Sequence, residues 1–390
     1  MSACHCYSAG TCSAVCSRST TVPPITTALW GYCRQERAYP NPHPDYFEHA
    51  KGYCVAMKIR SHAMSALVVL VLTSLGLGAC SSASGDSSAA AVDGESRVVV
   101  DVEGTEVVVP EHPERVVALS EPTLDGLLAL GVRPAGTVTG RGQGTVANYL
   151  QEQAGDLELL GAVAQPNFEA IGAVNPDLIL VDATSINNNP PIIAALREIA
   201  PVVFTGYAGG DWRENFELTA EAMNMEEQGQ HVLDAYDEKA AQLKEALHEY
   251  RDSTFSVVRW QGNSPALILK DLPAGRALDD LDLSRPSNQD REGRGHSEPV
   301  SLENLSDIDA DYIFFGTLGG SSVDNPEAGG NADVDDAIKS IQEAQKVPGF
   351  TDLKAFQANR IIPVDGSAWT STGGPLLMHK ILDDINAVLV

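Results

Sequence analysis

Two stretches of the chain repeat one another. PNFEAIGAVNPDLILVD (166–182) aligns with VSLENLSDIDADYIFFG (300–316) at a constant offset of 134 residues. Glu169 then meets Glu303, Ile171 meets Leu305, Val174 meets Ile308, Asp177 meets Asp311 and Ile179 meets Ile313. Both copies read as a loop, a short helix opening on a glutamate, and a buried strand. A chain that carries this unit twice is expected to form two halves of related architecture facing each other across a cleft.

The surrounding pattern supports two α/β halves. RVVVDVEGTEVVV (97–109) reads as a hairpin turning at Glu103-Gly104. Candidate strands follow at 115–120, 135–140, 177–182 and 201–206, and a second set at 255–260, 266–270, 311–316 and 360–365. Helical segments such as 124–130 and 191–199 alternate with them, as βαβ units require. The last helix, from Pro375, puts Leu377, Ile381, Leu382, Ile385, Val388 and Leu389 on one apolar face, with proline in the tolerated first turn. Between the two sets, Val232, Tyr236, Ala240, Leu243, Leu247 and Tyr250 keep a helical period. This predicts a long helix over about 213–252, broken near 224–229, whose second part spans roughly 37 Å. The expected lobes are 97–212 and 253–390, with that helix as a strut.

The N-terminus reads as an address. Lys58 and Arg60 precede the apolar run Met64 to Leu77, which is short for a bilayer span and suits a signal peptide over 57–79. Leu77-Gly78-Ala79-Cys80 resembles a bacterial lipobox, which implies cleavage before Cys80 and lipidation of its thiol. Residues 80–96, rich in Ser and Ala, are expected to be a flexible tether. Residues 1–56 do not fit a secretion signal and are expected to be a non-native upstream extension. A Cys/His metal segment on Cys4, His5, Cys6, Cys12 and Cys16 is the rival, with no zinc-type spacing.

Several classes of function are excluded or disfavoured. Six of the seven cysteines lie in the first 56 residues and the seventh is Cys80, so the body has no thiol for a disulfide, a thiolate site or a nucleophile. The net charge of −27 repels nucleic acid. No G-x-S-x-G elbow, P-loop or G-x-G-x-x-G fingerprint after a strand is present, so no enzyme is expected. Beyond Cys80 the histidines are His112, His231, His248, His296 and His379. Two fall on the long helix, which disfavours a bare zinc or manganese site. Haem would need an axial ligand such as His296 or Tyr207.

Taken in order, RVVALSEPTLDGLLALGVRPAGTV, PNFEAIGAVNPDLILVD, the long helix, SVVRW, SLENLSDIDADYIFF and RIIPVDGSAW…GGPLLMHKILDDI resemble the iron-siderophore and cobalamin substrate-binding proteins of ABC importers, over about residues 97–390. The resemblance implies an α/β fold of two Rossmann-like lobes joined by a long backbone α-helix, with the ligand cleft between them. It also implies a monomeric lipoprotein on the extracytoplasmic face of the bacterial cell membrane. Its cargo would be a ferric siderophore, with haem or cobalamin as the alternative, and its partners the permease and its ATPase. No cofactor and no resident metal are expected. In that family one glutamate per lobe docks into arginine pockets of the permease, and Glu169 and Glu303 occupy the matching positions.

Ligand contacts are expected from loops at the carboxyl ends of strands. Those positions include Ser120, Glu121, Arg141, Tyr207, Arg259, Trp260, Thr317 and Trp369. Arg141 and Arg259 could hold anionic oxygens of a chelate; Trp260 and Trp369 could wall its organic shell. The further arginines Arg276, Arg285, Arg291 and Arg294 form a basic region of the second lobe, and 284–296 reads as a loop with most of its arginines solvated.

Overall fold

The computed structural model describes residues 94–390 apart from 187–188, 208–209, 294–295 and 321–330. All described residues belong to one compact unit, Ser82–Val390. The upstream segment 1–56, the signal peptide 57–79, Cys80 and the tether up to 93 lie outside the described residues, as does the cluster of cysteines near the start.

A hairpin opens the described chain. β1 (Ser96–Val100) pairs antiparallel with β2 (Glu106–Pro110), and Gly104 supplies the positive φ of 79° that the turn needs. Next come β3 (Val116–Ala118), β4 (Gly136–Thr139), β5 (Leu159–Ala162), β6 (Gln165–Pro166), β7 (Leu178–Val181) and β8 (Val202–Phe204). They form one six-stranded sheet in the order β6-β5-β4-β3-β7-β8. β4-β3-β7-β8 and β4-β5 pair in parallel; only β6 turns back. The second sheet is built from β9 (Phe255–Gln261), β10 (Ser264–Leu267), β11 (Glu298–Pro299), β12 (Tyr312–Gly316) and β13 (Ile361–Pro363), in the order β11-β10-β9-β12-β13. Its β9-β12-β13 core is parallel and β10 and β11 are antiparallel.

Strand alternation assigns each side chain to one of three cores. Val116, Ala118, Leu178 and Leu180 face a central core; Val117, Leu119, Ile179 and Val181 face a core private to the first lobe. In the second lobe Phe255, Val257 and Phe314 point to the same central core, while Val258, Trp260, Ile313 and Phe315 face a private one. The central core therefore takes residues from both sheets. Both faces of each parallel sheet are covered, which is why these strands read as unbroken apolar runs.

The strut fills that central core. Helix Trp212–Ala222 ends, Asn224 takes a left-handed φ of 57°, and helix Glu226–Ala246 continues for 21 residues, roughly 32 Å. The break falls inside the predicted interval. Leu233, Tyr236, Ala240 and Leu243 face inward; Leu233 rather than Val232 takes the buried position. A Cβ on Gly229 would lie 2.7 Å from that of Ala220, so glycine is what lets the two helices meet closely. Helix Pro375–Leu389 lies against the strut and carries buried Leu377, Ile381, Leu382 and Ile385.

The repeat also exists as matched hydrogen bonds. Asn167 and Ser301, 134 residues apart, cap their helical turns by accepting from the backbone N–H of Glu169 and Glu303. Asp177 accepts from the N–H of Glu114 and Arg115 at 2.8 and 3.0 Å, just before β3. Asp311 accepts from Thr254, at 2.9 Å from N–H and 2.8 Å from Oγ1, just before β9. In each lobe the aspartate ties the strand it precedes to the start of the neighbouring parallel strand.

No helix among the described residues is long and apolar enough to cross a membrane.

Candidate functional site

The loops after β3 and β4 in the first lobe meet the loops around β11, β12 and β13 in the second. Gly142, with φ of 71°, lies so near Gly319 that an added Cβ would be 2.2 Å from its carbonyl oxygen. Asn148 Nδ2 donates to Asn331 Oδ1 at 3.0 Å, and Tyr149 N–H to Ser367 Oγ at 3.4 Å. Both bonds cross between lobes.

Arg141 and Arg259 meet at this seam. Arg141 Nη2 is 3.3 Å from His296 Nε2, across 155 residues of sequence and from one lobe to the other. Its backbone N–H donates to Glu121 Oε1 at 2.6 Å. Arg259, on β9, donates to the carbonyl oxygen of Thr370 at 3.3 Å and to Ser297 Oγ. Burial, and then the neighbouring Arg141, lower the Arg259 pKa to about 10, with no carboxylate among the described residues acting in the opposite sense. The same causes act on His296: burial first, then Arg141 and Arg259, bring it down to about 4. Glu121 moves the other way, raised by burial against the opposing pull of Arg141.

Buried polar atoms around the seam have no partner among the described residues. They are Arg141 Nε, His296 Nδ1, Glu121 Oε2, Ser371 Oγ and Thr372 Oγ1. Buried groups of this kind normally find partners, and an unmet one costs about 1–3 kcal/mol. An excess of fixed cation with unmet donors is suited to a ligand rich in anionic oxygens.

The structure distributes the expected ligand residues unevenly. Arg141, Arg259 and Glu121 come together. Ser120 is buried and serves as a helix N-cap, its Oγ 3.0 Å from Thr123 Oγ1 in a reciprocal capping box. Thr317 sits at the seam, but its backbone is pressed against Gly366, where a Cβ would lie 1.8 Å from the Thr317 oxygen. Tyr207 is 47 % exposed, packs edge-on against Phe204 at 5.2 Å, and has Glu103 and Asp101 of the hairpin as its charged neighbours. It faces the hairpin rather than the arginines.

The two tryptophans are corrections. Trp369 is fully buried, stacks on Phe314 with centroids 4.2 Å apart, and donates Nε1–H to Asp384 Oδ2 at 2.9 Å. Trp260 is also buried, stacked on Phe315 at 5.7 Å and edge-on to Phe350 at 5.4 Å. Neither ring has a face left to wall a ligand; both are core. Arg285 is the buried arginine of the 284–296 stretch: it donates to the carbonyl oxygen of Ile268 at 2.6 Å, and burial lowers its pKa to about 10. Arg291 pairs with Glu298 and Arg276 with Asp211, whereas Arg294 lies outside the described residues.

His296, Ser297 and the stretch Thr370–Thr372 complete the seam, and ligand-site reasoning on the sequence missed them. His296 was considered there only as a metal ligand. The buried polar run Thr370-Ser371-Thr372 before Gly373-Gly374 was the available signal, because hydroxyls without an apolar alternation rarely fill a core.

Glu169 and Glu303 are exposed, each second in its helical turn, and each follows a large apolar residue, Phe168 or Leu302, that is 38 % exposed.

Comparisons with known proteins bear on this arrangement. The family described as Periplasmic binding protein matches residues 116–368. The "Probable siderophore-binding lipoprotein YfiY" of Bacillus subtilis (strain 168) is 28% identical over 327 residues, covering 83% of this chain and 96% of that protein. The Fe(3+)-citrate-binding protein YfmC of the same organism is 26% identical over 325 residues, covering 82% and 94%. Among solved structures, Staphylococcus aureus SirA complexed with staphyloferrin B superposes with a TM-score of 0.62 at 24% identity, over 75% of this chain and 97% of that one. The likeness is one of fold.

Proposed function

The chain belongs to the periplasmic binding protein family, and from that premise we propose that it is the extracytoplasmic receptor of an ABC importer, capturing an anionic ferric siderophore between its lobes. The observation that carries this reading is the guanidinium pair Arg141–Arg259, brought to one seam from two lobes with no carboxylate paired to Arg259 among the described residues. A folded chain keeps such a pair at a cost in stability, and an anionic cargo offsets that cost. The relatives named for siderophore and ferric citrate binding support the same class of cargo.

The role is capture and delivery. Members of this family are transport receptors, and the shared central core suits a receptor whose lobes move little relative to each other. Glu169 and Glu303, matched in position and exposed, are proposed to engage basic sockets of a permease, with Phe168 and Leu302 beside them as apolar contacts. Lipidation of Cys80 would hold the receptor at the membrane.

Tryptophan-fluorescence quenching of the mature domain tests the cargo with ferric citrate, a ferric trihydroxamate, a ferric catecholate, haem and cobalamin. Saturable quenching by ferric citrate at micromolar concentration or below, weakened by salt, is the expected result. Quenching by haem or cobalamin alone rejects the reading.

A further inference from the structure

The contact between Arg141 and His296 fixes a tautomer. A guanidinium has donors and no acceptor. Its Nη2 lies 3.3 Å from His296 Nε2, so Nε2 must accept and the imidazole proton must sit on Nδ1. The charged groups facing the ring are Arg141 from the first lobe and Arg259 from β9, with Glu121 beyond Arg141. Burial, and then the two cations, keep the ring neutral down to a pH of about 4, so the neutral tautomer holds under ordinary conditions. Nδ1 is buried and has no partner among the described residues. The ring thus holds a donor unmet among the described residues, at the seam where two guanidiniums already favour negative charge.

We propose that His296 is a specificity-determining residue whose Nδ1–H donates to an anionic oxygen of the bound chelate, with Arg141 of the opposite lobe setting the tautomer that makes this possible. An acceptor oxygen placed there completes the donor and neutralises the cations. An ammonium at that point meets the His296 donor and two positive charges, and is refused. The proposal rests on the cleft reading above and adds the atom that discriminates.

Two amide substitutions separate the two nitrogens. The side-chain amide of His296→Asn reaches the place of Nδ1 and can donate there. That of His296→Gln reaches the place of Nε2, where its oxygen can accept from Arg141. Affinity for ferric citrate, measured by fluorescence quenching, is expected to fall about tenfold or more in His296→Gln and in His296→Phe. His296→Asn should stay within about threefold of the parent protein. If Gln preserves affinity and Asn loses it, His296 only positions Arg141 and the proposal is overturned; it is equally overturned if all three bind like the parent or all three weaken alike. Nitrogen-15 NMR of the parent protein gives a readout that no variant can spoil. The His296 ring should carry its proton on Nδ1 in the empty protein and keep it there with gallium citrate, and an Nε2-protonated ring overturns the assignment. Failure of the parent to bind ferric citrate at all would instead reject the cargo reading itself.

Discussion

The carboxylate of Asp125 accepts the backbone N–H of Leu377 at 2.9 Å, joining the first helix of one lobe to the last helix of the other across 252 residues of sequence. Its second oxygen accepts from Leu376 at the same distance. The carboxylate is thus the N-terminal cap of helix Pro375–Leu389, whose own cap position is Gly374 and has no side chain to offer. A Cβ on Gly374 would lie 2.9 Å from Asp125 Oδ1, so the residue that cannot cap is the one that makes room for the cap. Asp125→Ala should lower unfolding free energy by about 2–4 kcal/mol, because one buried and one partly buried N–H group lose a charged acceptor. Urea denaturation checks this.

The same carboxylate gives a pH dependence. Burial is the largest influence on it and raises its pKa from 3.8 to about 6, against the lowering pull of its backbone hydrogen bonds. A pKa raised on folding means that the folded state binds the proton more tightly than the unfolded chain. The resulting stabilisation is full below about pH 4 and is lost as pH rises through about 6. Asp125→Asn cannot titrate. The stability difference between parent and Asp125→Asn should therefore shift by about 2–3 kcal/mol in favour of the variant between pH 4 and pH 7. A difference that is flat over this range contradicts the assignment.

Trp369 is expected to matter for folding and not for cargo. Trp369→Phe loses the bond to Asp384 and part of the stack on Phe314, and should cost about 1–3 kcal/mol of stability. Its affinity for ferric citrate should stay within about twofold of the parent. A large loss of affinity in a variant that remains folded would return the ring to the ligand site.

The contrast between Trp369 and Arg259 shows what the sequence can and cannot convey. The repeat was legible because Asp177 and Asp311 do the same local job, each holding the start of the adjacent strand, and local jobs recur at fixed spacing. The strands were legible because both faces of each sheet are buried. Trp369 was not, because its burial depends on Phe314 and on Asp384 of the last helix, and no spacing records that meeting. Arg259 stood out because cations are few in so acidic a chain. His296 hid in a loop rich in Arg and Gly, since its significance lies in Arg141, in the opposite lobe.

The matched glutamates allow delivery to be separated from capture. Glu169 and Glu303 are exposed in different lobes and belong to no part of the seam. The double variant Glu169→Ala, Glu303→Ala should keep the parent affinity for ferric citrate while abolishing iron uptake by cells that carry the cognate permease. In the same cells, Phe168→Ala with Leu302→Ala in the otherwise unchanged protein should lower uptake by about tenfold, since partner-facing apolar contacts contribute about 1–2 kcal/mol when removed. Loss of cargo affinity in the glutamate variant would count against the docking role.

Arg259 allows the opposite separation. Its guanidinium is largely buried, faces Arg141, and among the described residues meets Ser297 and the Thr370 carbonyl oxygen, so the empty protein holds it against both desolvation and like-charge repulsion. Arg259→Met keeps the aliphatic stem and removes the charge. The empty variant should therefore unfold at the same temperature as the parent or at a higher one, while its affinity for ferric citrate falls by about tenfold to a hundredfold. The parent's affinity should weaken with added salt more steeply than the variant's, because one of the two cations that attract the chelate is gone. Thermal denaturation with and without ferric citrate reads both effects in one experiment: the cargo should raise the transition of the parent more than that of the variant. If Arg259→Met unfolds earlier and binds as well as the parent, the guanidinium is a structural group and the seam is not where the chelate sits.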